Sequence, residues 1–111
     1  FRPQERRLPA RKLWIAFAIG ASGTVEVDAG ARHALVKGGR SLLPAGVLAA
    51  RGAFAVDDAV EIAGPDGDVF AKGLVRQDAA AVAQWAGRRS EELPEDVSRE
   101  VVHRDDLVVL A

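Results

Sequence analysis

Hydrophobic residues along this chain recur with two different periods. Between residues 23 and 28, Val25 and Val27 alternate with Thr24, Glu26 and Asp28, the pattern of a half-buried strand. Ala31, Ala34 and Leu35 then fall at i, i+3 and i+4, one face of a helix over residues 29–37. Asp28 stands where a carboxylate caps the free N–H groups of that helix, and Gly38 stands where it stops. Residues 60–62 and 69–75 are apolar runs that flank Gly64, Pro65, Asp66, Gly67 and Asp68, the residue types tight turns require, and so predict a β-hairpin. Ala79, Val82, Ala83 and Ala86 make a second helical stripe, with Asp78 as its N-cap and Gly87 as its left-handed end.

Near the start, Leu13, Trp14, Phe17 and Ala18 share helical spacing, which predicts a short helix that packs Trp14 inward and closes at Gly20. Residues 38–46 carry Gly38, Gly39, Gly46 and Pro44, a shaped loop that leads into an apolar strand over residues 47–50. Residues 91–100 are acidic, contain Pro94 and show little periodicity, which predicts a loop with at most one helical turn; residues 107–110 are a closing strand. Short strands interrupted by short helices, without βαβ alternation, imply a mainly β or α+β pseudo-barrel of mostly antiparallel strands.

Composition narrows the functional classes. With 111 residues, 49% hydrophobic and 28% charged, the chain fits one compact domain with its own core. It has no cysteine, which excludes disulfides, a thiolate nucleophile and cysteine-ligated metal, and leaves His33 and His103 as the strong metal-type ligands. No apolar run is long enough to cross a bilayer, so no membrane partner is expected. Methionine is absent too, so residue 1 is not expected to be a translational start, and residues 2–12, rich in arginine and proline, read as a linker from a preceding domain.

Net charge is −1, but its two halves differ: residues 1–55 hold nine Lys/Arg against three Asp/Glu (+6), and residues 56–111 hold six against thirteen (−7). Such polarity suits an anionic partner at one end, and equally the docking of one domain on another. Arg32, Lys37 and Arg40 are the basic group nearest the glycine loop, although no aromatic residue is interleaved there to stack on bases.

Catalytic chemistry finds little support. There is no phosphate-binding P-loop sequence, and Gly38, Gly39 and Gly46 neither follow a strand nor open a helix, so they read first as backbone devices. His33 lies off the apolar face of its helix and is expected to point to solvent. His103 precedes Arg104, Asp105 and Asp106, where it can serve as a general base or make ordinary turn hydrogen bonds, and no nucleophile accompanies it. Asp57, Asp58 and Glu61 lack calcium-loop spacing, and Asp66 and Asp68 read as turn chemistry.

Residues 39–47, Gly-Arg-Ser-Leu-Leu-Pro-Ala-Gly-Val, resemble the signature segment of the PUA domain that ends bacterial glutamate 5-kinases. Residues 1–3, 11–15, 71–75, 87–90 and 100–105 are similar to further segments of that family in the same order. Two departures are visible: Asp106 stands where the family has asparagine, and the stretch after Ser90 is shorter and broken by Pro94. The resemblance implies a PUA-like pseudo-barrel over residues 13–111, with residues 1–12 a linker from an amino-acid kinase domain. It implies a parent that phosphorylates L-glutamate with ATP and Mg at the start of proline biosynthesis in the cytoplasm, with its catalytic groups all lying outside this chain.

From the same resemblance, this chain carries no catalytic residue, cofactor or metal of its own. Its expected partners are the kinase domain, further copies of the parent in a homo-oligomer, and RNA. The region that binds RNA in other PUA domains corresponds here to Arg32, Lys37, Gly38, Gly39, Arg40, Ser41, Leu42, Leu43, Pro44, Ala45 and Gly46.

Overall fold

The computed structural model describes residues 10–95 and 97–110. Its centre is a five-stranded mixed sheet made of β1 (Gly23–Val27), β2 (Val47–Gly52), β3 (Ala59–Ala63), β4 (Val69–Val75) and β5 (Val102–Val109). The strands lie in the order β2-β1-β3-β4-β5, with β1 parallel to β3 and every other pair antiparallel. Three helices accompany the sheet: α1 (Ala10–Phe17), α2 (Ala29–Gly38) and α3 (Ala79–Trp85). A small α+β architecture follows, as the patterning implied.

The predicted hairpin is β3–β4, turned at residues 64–68, where Asp68 N–H donates to Asp66 Oδ1 and Gly67 takes φ +87°. Val25 and Val27, the inward half of the β1 alternation, are fully buried with Val60, Ile62 and Phe70 in the main core. Leu35 is the fully inward residue of α2, and Val82 that of α3.

Two expectations fail. The first concerns α1: Trp14 is 49% exposed and Phe17 78%, while Ile15 is completely buried with Ala59, Leu74 and Val108. Apolar residues lie on more than one side of this helix, and among the described ones the fully buried side chain is the aliphatic Ile15, whose compact shape fits the second, smaller core. The helix also starts at Ala10, so residues 10–12 belong to it; the rest of the proposed linker lies outside the described residues. The second concerns β5, which begins at Val102 rather than Leu107. His103, Arg104 and Asp105 hide it from a hydrophobicity pattern, because the strand is solvated over those residues and buried beyond them.

Asp106, the departure from the family's asparagine, is a β5 residue only 8% exposed, with its Oδ2 3.6 Å from Arg76 Nη2. The arginine supplies a partner that a carboxylate in this buried place needs. A short 3-10 turn, Ser90–Glu92, leads into the predicted loop of residues 91–100.

Candidate functional site

The site is built on α2 and the segment that follows it. Asp28 leaves β1 in extended conformation and its Oδ1 accepts from Ala31 N–H at 2.7 Å, closing the first turn of the helix. The helix runs through Gly38, one residue beyond the expected stop, and ends at Gly39, whose φ of 59° and ψ of 34° place it in the left-handed region. Gly39 N–H then donates to Ala34 O, which satisfies a carbonyl the last turn leaves open.

Residues 40–46 are tied down on every side. Arg104 N–H donates to Ser41 Oγ at 2.8 Å. Leu42 N–H donates to Val102 O at 2.8 Å, and Val101 N–H donates to Leu42 O at 2.7 Å, which joins the segment to β5. Pro44 O accepts from Gly87 N–H at 2.7 Å beyond the end of α3, where Gly87 adopts φ +81°, and Gly46 O accepts from Asp28 N–H at 3.0 Å. The 3-10 turn Pro44–Gly46 lies so close to α2 that a Cβ on Gly46 would stand 2.6 Å from Ala31 Cβ. A loop held by this many backbone bonds presents its side chains on a fixed frame.

Between α2 and this segment lies a cleft of about 750 Å³. Gly30, His33, Ala34 and Lys37 form its helical wall, at the spacing of one helix face, and Arg40, Ser41, Leu43 and Ala45 form the other. Small and apolar side chains make most of the surface, with Lys37 and Arg40 exposed at its rim. Lys37, Gly38, Arg40, Ser41, Leu42, Leu43, Ala45 and Gly46 of the expected region therefore come together here. Leu42, only 1% exposed, and Pro44, also buried, hold the frame from inside.

Arg32 does not join them. It lies five positions before Lys37, about 140° around a helix with 3.6 residues per turn, so the two cannot share a face. It turns instead to the hairpin, with Nη1 3.8 Å from Asp66 Oδ1 and its guanidinium 5.1 Å from the centre of the Phe70 ring. The charge grouping read from the sequence thus reduces to Lys37 and Arg40.

The remaining candidates fall into place as local structure. His33 is exposed. His103 Nδ1 accepts from Asp105 N–H at 3.0 Å, a turn bond within one strand end. Asp58 Oδ2 accepts from Ala55 N–H at 2.9 Å. Among the described residues, no three His, Asp or Glu side chains gather closely enough to hold a metal ion. Gly30 and Ala34 escaped the sequence reading as cleft residues, although the helical period through residues 30, 34 and 37 was the signal that marks them.

Comparison with known proteins identifies the family. The chain is 43% identical over 111 residues to the glutamate 5-kinases of Mycobacterium tuberculosis and Mycobacterium bovis. It is 43% identical over 110 residues to that of Mycolicibacterium vanbaalenii. These matches take in 99–100% of the chain but only 30% of each relative's length, in the C-terminal PUA region. Among solved structures, a PUA domain of Aeropyrum pernix in complex with tartrate aligns at a TM-score of 0.58 and 26% identity, over 86% of this chain and 49% of that one. NSun6 of Pyrococcus horikoshii shares the fold at a TM-score of 0.55 and 20% identity, over 77% of this chain and 19% of that one. Residues 23–96, which include α2, the cleft and the β3–β4 hairpin, match the PUA domain family, and the chain belongs to it.

Proposed function

We propose that this chain is the accessory, non-catalytic PUA module of a glutamate 5-kinase, the enzyme that transfers a phosphoryl group from ATP to the side-chain carboxyl of L-glutamate. The observation that carries the reading is the 43% identity over the whole chain to relatives of that name, of whose length the chain spans 30%. ATP and Mg then belong to a kinase domain elsewhere in the polypeptide. The rigid cleft beside α2 is the surface through which the module meets that domain, or further copies of the parent in an oligomer. On this reading the protein works in the cytoplasm; no helix among the described residues is long and apolar enough to cross a membrane.

The test uses the full-length polypeptide. Glutamate-dependent ADP release, its inhibition by proline and the native mass are compared with and without residues 10–110. Retained turnover with an altered proline response or an altered mass is the expected result. If the inhibition and the mass both stay the same, the module has no role in either, and the proposal fails.

RNA binding is a second reading, favoured by one feature: Lys37 and Arg40 are exposed at the cleft rim without an ion-pair partner among the described residues. Two neutralised phosphates on a single strand would give a log–log salt slope of roughly −1.4. Filter binding of single-stranded RNA at several salt concentrations measures that slope, and a flat response refutes this reading.

A further inference from the structure

We propose that Arg40, Ser41, His103 and Arg104 form a binding site for a phosphate group, in a second cleft that adjoins the α2 cleft at Gly38, Arg40 and Ser41. This inference does not rest on the assignment above. The starting point is chain pairing: the bond from Leu42 N–H to Val102 O and the bond from Arg104 N–H to Ser41 Oγ bring the solvated start of β5 against the segment after α2. Two residues from the acidic half of the chain, His103 and Arg104, thereby join Arg40 from the basic half.

The four side chains line a cleft of about 510 Å³, with Glu100 and the backbone of Gly38 and Gly39. An adjoining cleft of about 260 Å³ shares Arg40 and Arg104 and adds Lys12. Most other described arginines are already answered. Arg32, Arg51, Arg76 and Arg89 each face a carboxylate at 3.3–3.9 Å, whereas Arg40 and Arg104 face none among the described residues. Asp105 Oδ2 also lies 3.6 Å from His103 Nδ1, so Lys12, Arg40 and Arg104 stand against the carboxylates of Glu100 and Asp105 and leave a net positive charge around the two clefts. The nearby end of α2 opposes an anion less than a bare helix terminus would, because Ala34 O is occupied by the N–H groups of Gly39 and Arg40.

Apart from the Glu100 carboxylate, the polar side chains of this cleft are donors, as an oxyanion requires. Ser41 Oγ accepts from the backbone of Arg104, which leaves its hydroxyl proton to donate elsewhere. His103 Nδ1 accepts from Asp105 N–H, so the neutral ring carries its proton on Nε2 and donates there without needing a positive charge. Two guanidiniums, a hydroxyl and an imidazole N–H match an acceptor-only, multiply charged group. The phosphate can come from a free phosphate or phosphate monoester, or from the backbone of a nucleic acid strand.

The chain has two histidines, and His33 lies outside this cleft, so it serves as an internal control. Inorganic phosphate is titrated at constant ionic strength while the imidazole proton resonances of both are followed. His103 should shift saturably with His33 still, and Arg40→Gln and Arg104→Gln should each weaken binding about tenfold, the loss of one charge-assisted hydrogen bond. An unchanged His33 spectrum in each variant shows that the fold is kept. A single-stranded oligonucleotide is then added: competition assigns the phosphate to a strand, and lack of competition assigns it to a small molecule. The site does not exist if phosphate leaves His103 unmoved, if both histidines shift alike, if the Gln variants bind normally, or if the oligonucleotide moves His103 where phosphate cannot.

Discussion

Replacing Gly46 with alanine tests whether the cleft owes its shape to one close approach. The new Cβ would stand 2.6 Å from Ala31 Cβ, against roughly 3.5 Å or more for a relaxed carbon–carbon contact, so the turn and α2 must separate by about 1 Å. The backbone at Gly46 is not in the left-handed region, so the contact alone is tested. Separation also stretches the 3.0 Å bond from Asp28 N–H to Gly46 O, at the residue that caps α2. Overpacking of this kind costs about 1–3 kcal/mol. For a urea m value of roughly 1.5 kcal/mol/M, a loss of about 2 kcal/mol lowers the midpoint by roughly 1 M. Ala31→Gly alone should cost about 1 kcal/mol through helix propensity. Combined with Gly46→Ala it removes the clash, so the double variant should be more stable than the sum of the two losses by at least about 1 kcal/mol. Urea unfolding followed by circular dichroism gives all four stabilities. Additive losses would refute the claim that these two residues set the width of the cleft.

Other substitutions probe other links in the fold. Ile15→Ala should destabilise the attachment of α1 by about 2–4 kcal/mol, whereas Trp14→Ala should change unfolding midpoints by less than about 1 kcal/mol, since Ile15 is buried and Trp14 half exposed; proteolysis rates within α1 read the difference. Asp28→Ala and Asp78→Ala each remove a side-chain acceptor from a first helical turn and should cost about 1 kcal/mol by chemical denaturation. Gly39→Ala forces a side chain into φ 59° and should cost about 1 kcal/mol, measured by thermal unfolding.

Local chemistry in this chain was legible where one residue type answers one backbone need. Asp28 and Asp78 cap their helices as expected, and the glycine and aspartates after Ala63 turn the hairpin. The period-two run from Thr24 to Val27 likewise became β1. What could not be read was which of several candidate faces meets the sheet. The segment Leu13 to Ala18 offers apolar residues in several directions, and only contact with β4 and β5 selects Ile15. Likewise, adding the charges of Arg32, Lys37 and Arg40 ignored the turn of α2, which sends Arg32 to Asp66 and Phe70. Arg104 was invisible as a neighbour of Arg40, because the Leu42–Val102 bridge that joins them spans most of the chain.

That bridge also sets an order of events during synthesis. Residues 28–46 leave the ribosome early and contain both walls of the α2 cleft, yet Ser41 and Leu42 find their backbone partners only in residues 101–104. Until β5 has been made and added to the edge of β4, those donors and acceptors are left to water. Contacts so distant in sequence form late, after the closure of the long loop between them. A nascent chain paused before Val101 therefore holds α2 and the hairpin but lacks the frame of the cleft, which is completed only when β5 arrives.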